Sequence, residues 1–126
     1  LQPHAAAPLQ NVWLRAVGRL PDDDRLHRSL LAYVSDYNLL ATATLPHAIG
    51  ALDKGLVTAS LDHAMWWHRD GRVDEWMLYV QESGSSSGGR GLGTGRIYSR
   101  DGVLLASVAQ EAMTRVPAEL LAELQG

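Results

Sequence analysis

The sequence predicts an α+β domain in which an antiparallel sheet wraps around one long central helix. Three observations carry that reading. The stretch Pro21–Pro46 opens with Asp22, Asp23 and Asp24, which suit the positive N-terminal end of a helix, and Pro46 gives it a stop. From Leu30 to Leu40, apolar side chains fall on every face, the pattern of a helix buried all round. The rest of the chain reads as strands and turns, one strand before the helix and four after it.

Taken in order, residues 1–11 read as an extended or disordered arm rich in Pro and Ala. Residues 12–116 read as a single domain. Its first strand is Val12–Leu20, followed by the helix and a connection, His47–Gly55. Leu56–His68 then reads as one long strand, with Val57, Ala59, Leu61, Met65 and Trp67 on one side and Ser60, Asp62, Ala64 and Trp66 on the other. Asp70-Gly71 signals a turn and Asp74–Glu82 the next strand. Ser83–Gly95 is either a flexible loop or a bent, glycine-rich strand where another backbone or a ligand comes close. Arg96–Arg100 and Val103–Val116 flank a hairpin turn at Asp101-Gly102, so the last four strands read as a meander. The tail, 117–126, has the composition of a short helix. Such a sheet leaves an outer face and an edge that call for a second unit.

Composition narrows the function. With 126 residues the chain builds one core and not two. A net charge of -3 without a basic cluster points away from nucleic acid. The absence of cysteine removes disulfides and thiolate chemistry and fits a reducing, cytoplasmic setting. No apolar run reaches the length of a membrane span. Leu1 stands where an initiator Met is expected, and LQPHAAAPLQ lacks the features of a signal peptide, so the chain reads as trimmed, processed or cut from something longer.

Two motifs fail on context. Gly84-Ser85-Ser86-Ser87-Gly88 fits G-x-S-x-G, but a strand follows rather than a helix. Asp62, His63 and His68 suggest a metal, yet strand neighbours point to opposite faces and cannot share an ion without a bulge, so no metal is expected and His63 reads as a hydrogen-bonded core or interface residue. Trp66, Trp67 and Trp76 read as core or subunit contacts. Two polar residues stand out more. Asp36 lies within the apolar helix, where a carboxylate needs a partner. Gln110 shares the more apolar face of the last strand with Ala106, Val108 and Ala112, and pattern alone leaves it either structural or catalytic.

The stretches SDYNLL, ASLDHAMWWHR, DEWMLYVQES and GRGLGTGRIYSRDGVLLASVAQEAM together resemble the C-terminal half of acyl-CoA thioesterase II, a double-hotdog enzyme, from about Val12 to Arg115. The resemblance implies a hotdog fold and hydrolysis of fatty acyl-CoA by water, with catalytic groups at Asp36, Ser60 and Gln110. Ser60 stands where the family has threonine, keeping the hydroxyl and losing a methyl. Arg90, after the Ser/Gly segment, is the candidate substrate-binding residue. No cofactor is implied, since CoA is part of the substrate, and helix-start amides are expected as oxyanion donors. Because the family carries two hotdog units in one chain, a second unit is expected as partner, whether an N-terminal half, a separate chain or another copy. Two other readings stand beside this one. The chain is a non-catalytic half that shapes the acyl tunnel and dimer, or it is an enoyl-thioester hydratase, which would need an Asp/His pair; His27 and His47 are the nearest histidines in sequence to Asp36.

Overall fold

The computed structural model describes residues 6–47 and 55–125. The first five residues of the arm and most of the connection between His47 and Gly55 lie outside the described residues. The elements run β1 (Leu9–Leu14), α1 (Asp24–Ser35), a 3-10 helix (Leu40–His47), β2 (Val57–Ser60), β3 (Ala64–Trp67), β4 (Met77–Ser87), β5 (Arg90–Ser99), β6 (Leu104–Arg115) and α2 (Ala118–Gln125). All strand pairings are antiparallel. The sheet order is β1-β4-β5-β6-β2, with β3 also on β6.

Alternation places Met77, Tyr79 and Gln81 of β4, Ile97 of β5, and Ala106, Val108, Gln110 and Ala112 of β6 on the buried face. Leu31 of α1 and Leu39 beyond it complete the core, with Leu30 and Val34 packed against its margin. Asp23 caps α1 by accepting the Arg25 N–H at 3.0 Å, and Asp24 occupies the first turn. The acidic cluster therefore marks the helix start, as its composition predicts.

Four features differ from the sequence expectation. The first strand begins at Leu9 and pairs with β4, so part of the expected arm belongs to the sheet. The helix ends at Ser35 instead of running to Pro46, and Tyr33 and Tyr37 are 82% and 67% exposed. Apolar residues on every face do not mean burial on every face when some of them are tyrosines at a helix end. The strand Leu56–His68 is two short strands, and they join the far side of β6 rather than β4, so only β4–β5–β6 is a meander. Finally, Trp66, Trp67 and Trp76 are surface residues in this chain and not core, which leaves the subunit-contact half of that expectation, and Arg15 stacks on Trp76 at 4.7 Å.

The glycine-rich segment is strand. Ser87 pairs with Arg90 across Gly88-Gly89, whose φ values of 61° and 72° suit a two-residue hairpin turn. The G-x-S-x-G match thus lies on the end of β4 and its turn, without a strand-to-helix elbow. On β5, Gly91, Gly93 and Gly95 occupy successive inward positions. A Cβ there would meet Ala43 at 2.7 Å, the Leu39 carbonyl oxygen at 2.9 Å and the Tyr79 ring at 2.8 Å, respectively. Gly91 and Gly93 leave room for the chain that leaves α1, which is the close backbone approach that their composition allowed, and Gly95 leaves room for the Tyr79 ring.

An ionic cluster ties the start of β4 to the segment before α1. Arg72 donates to Asp74 through Nε at 3.0 Å and Nη2 at 2.9 Å, to the Leu20 carbonyl at 2.8 Å, and to Asp22. Asp74 also accepts the Leu20 N–H at 2.8 Å. The hydrogen bond from Arg72, then that from Leu20, holds the Asp74 carboxyl well below the usual carboxylate range. A depressed folded-state value means that this carboxylate contributes stability at neutral pH and loses it as pH falls below about 4, where the unfolded group protonates. Asp74→Asn is expected to lower the urea midpoint at pH 7 and to narrow its gap to wild type as pH approaches 2, in a pH series of unfolding curves.

Candidate active site

The site forms where α1 ends. Asp36 follows the last helical residue with φ -73° and ψ -20°, and Asn38 adopts φ 61°, a left-handed conformation that asparagine tolerates better than most residues. The carbonyls at this end need partners. Tyr79 Oη donates to the Ser35 carbonyl at 2.6 Å, and Gln81 Nε2 donates to the Tyr37 carbonyl at 3.1 Å. Both donors come from the buried face of β4. Desolvation, helped by the negative charge of Asp36, pushes the Tyr79 phenol above its ordinary range, so it stays a donor. Asp36 is therefore exposed in this chain and held at a buttressed helix end, not sunk in mid-helix as the sequence suggested.

Gln110 reaches the same place from β6. It is 3% exposed and sits opposite Gly93, whose missing side chain admits Leu39. Ser60 arrives by a bulge. Ser60 pairs with Ala112 and Ala64 with Ala109, so four steps on one strand match three on β6. The extra residue switches the side-chain parity. Ser60 thus shares the inward face with Met65 and Trp67, whereas strict alternation had set it on the opposite side. The bulge closes on one residue: Leu61 N–H donates to the Glu111 carbonyl at 2.9 Å, and Asp62 Oδ1 accepts the Glu111 N–H at 2.7 Å.

The three polar side chains converge. Gln110 Nε2 donates to Asp36 Oδ1 and to Ser60 Oγ, each at 2.6 Å. An ionised carboxylate only accepts, so the NH2 end of the amide must face Asp36. Both amide hydrogens are then committed, and Ser60 keeps its own hydroxyl proton for another acceptor. Gln110 Oε1 is buried without a hydrogen-bond partner among the described residues. That costs stability unless a bound molecule satisfies it.

Arg90 is not brought to this cluster. It sits on the outward register of β5, exposed, and pairs with Glu111 at 3.2 Å, while Gln110 faces inward. Three histidines have defined partners. His27 is buried, bonding the Pro21 carbonyl through Nε2 at 2.9 Å and accepting the Val73 N–H at Nδ1 at 3.1 Å. His63 Nε2 lies 2.9 Å from Ser35 Oγ, the hydrogen-bonded role its sequence position suggested. His68 bonds Ser107 at 2.9 Å. Among the described residues, no group of three His, Cys, Asp or Glu is placed to hold a metal. Sequence reasoning missed Ser35, Tyr79 and Gln81. For the last two, the available signal was polar groups falling in step with Met77 on a buried strand face.

An antiparallel sheet curled around one helix, with a polar cluster at that helix's end, is a hotdog-fold architecture of the kind thioesterases use. A hot-dog-like protein from Thermanaerovibrio acidaminovorans superposes with a TM-score of 0.62 over 91% of this chain and 85% of its own, at 13% identity, a likeness of fold alone. The chain belongs to the acyl-CoA thioesterase family, whose profile matches residues 2–113. It is 42% identical over 106 residues to acyl-CoA thioesterase 2 of Haemophilus influenzae, covering 84% of this chain and 37% of that protein. It is 46% identical over 116 residues to mouse acyl-coenzyme A thioesterase 8, covering 91% and 36%. The crystal structure of an acyl-CoA thioesterase II from Mycobacterium marinum matches with a TM-score of 0.81 and 48% identity, over 93% of this chain and 44% of that one. The chain thus spans about a third of the length of the curated relatives it matches.

Proposed function

We propose that this chain carries the hydrolytic site of an acyl-CoA thioesterase, cleaving fatty acyl-CoA to fatty acid and CoA. The observation that supports this best is the single Gln110 amide joining Asp36 and Ser60 at 2.6 Å each. In this reading Asp36 takes a proton from a water, whose oxygen adds to the thioester carbonyl carbon. Ser60, with its hydroxyl proton uncommitted, orients that water. The tetrahedral oxyanion collapses, the C–S bond breaks, and the CoA thiolate leaves with the proton held by Asp36. Asp36 is at the far end of α1 from that helix's start, so the helix-start amides nearest in sequence are those of the 3-10 helix, beginning at Leu40. No cofactor enters the scheme. Arg90 lies outside it, because the outward pair with Glu111 points it away. The hydratase alternative is disfavoured, since among the described residues no histidine bonds Asp36.

The proposal includes a partner, a second hotdog unit seated against the site's open side. Tyr33 and Tyr37 flank Asp36 one helical turn apart and are exposed, and all four residues of the edge strand β2 are exposed. The relatives carry nearly two further thirds of chain, ample for such a unit. Among the described residues, no helix is long and apolar enough to cross a membrane. A cytoplasmic location is part of the same proposal, on the cysteine-free composition.

The direct test is thiol release from a panel of acyl-CoA substrates by the native particle. Sedimentation is expected to find the active species associated with another hotdog unit; a monomer hydrolysing at the same rate would contradict the partner.

A further inference from the structure

We propose that the bulge Ser60–His63 acts as a bracket that sets the spacing of the three site residues, with His63 and Asp62 as positioning residues for the hydrolysis proposed above. Four consecutive residues supply one member and hold the chain neighbours of the other two. Ser60 is a member itself. Asp62 holds the Glu111 N–H at 2.7 Å, fixing the peptide that follows Gln110. His63 reaches Ser35, the residue that precedes Asp36, at 2.9 Å. Ser35 is fully buried, and its hydroxyl donates its only proton to the Ala32 carbonyl at 2.7 Å. With that proton on Ala32, the hydroxyl oxygen accepts from His63, and the bracket takes the Nε2–H form of the ring. The Ser35 carbonyl is fixed in turn by Tyr79. The end of α1 is thus tied to β4 through its backbone and to the bulge through its side chain.

The inference rests on the proposed thioesterase activity, and the experiment separates the two. In the native particle, His63→Ala is expected to lower kcat about 10- to 100-fold with KM little changed, the scale of a misplaced catalytic group. His63→Gln, whose amide nitrogen approximates the position of Nε2, is expected to restore most of that loss. Asp62→Ala is expected to act in the same direction. A second readout does not depend on activity: by nitrogen NMR, His63 shows the Nε2–H form, and the Gln110 side-chain amide resonances shift in His63→Ala. Loss of activity in Asp36→Asn together with full kcat in His63→Ala overturns the bracket and leaves the thioesterase reading intact. Equal losses for His63→Ala and His63→Gln overturn it too, as does a Gln110 amide unmoved by His63→Ala. An inactive native particle overturns the hydrolase reading, while the Gln110 shift still decides the bracket.

Discussion

Asp36→Asn is expected to lower kcat for acyl-CoA hydrolysis by about 10³-fold, within the range for losing a general base, while the fold is retained. The substitution is nearly isosteric and the residue is exposed, so no core contact is lost. What changes is chemical. An amide cannot take the proton from the attacking water, and its own NH2 group competes with that of Gln110 across 2.6 Å. If the amide turns its oxygen toward Gln110, the hydrogen bond survives and basicity is still gone. Release of thiol from several acyl-CoA chain lengths, with circular dichroism as a folding control, measures both. Unchanged release would favour the reading of this chain as a non-catalytic half that shapes the tunnel and dimer.

The largest expected effect on stability is at Gly93. Its hypothetical Cβ lies 2.9 Å from the Leu39 carbonyl oxygen and 2.9 Å from Leu39 Cγ. The first contact is backbone and cannot rotate away. Gly93→Val is therefore expected to cost about 3 kcal/mol, the upper part of the range for overpacking a core. It also pushes on the segment that leaves Asp36, so residual activity should fall along with stability. Gly84→Ala is the control: nothing lies within 4 Å of its Cβ position, and removing a glycine's unfolded-state freedom is neutral or slightly stabilising. Urea unfolding of the two variants, side by side, distinguishes crowding at one position from a general intolerance of the glycine-rich strand.

The same positions show how far the sequence could be read. Asp23 as helix cap, the turn at Asp101-Gly102 and the inward set Ala106, Val108, Gln110 and Ala112 follow from local chemistry and alternation, which tertiary structure respects here. The end of α1 at Ser35 does not follow from the apolar pattern. It depends on Tyr79 and Gln81 of a distant strand accepting the task of bonding the freed carbonyls, and on Gly93 leaving space for Leu39. The inward turn of Ser60 was likewise invisible to strict alternation, because a one-residue bulge reverses every face assignment after it. Strand order failed for a related reason: β2 and β3 return to β6, a non-local pairing that turn signals do not encode. As for the site, Asp36 and Gln110 stand out by pattern as polar groups among apolar ones, Ser60 and the catalytic roles come only through family resemblance, and their convergence depends on these long-range devices.

Asp36, Ser60 and Gln110 are expected to work as one unit around a single water. A kinetic cycle with Asp36→Asn, Gln110→Ala and the double variant tests it most directly. Groups acting as a unit give a double variant little slower than the slower single one. Losses that multiply would show that the two residues act independently and would contradict the account.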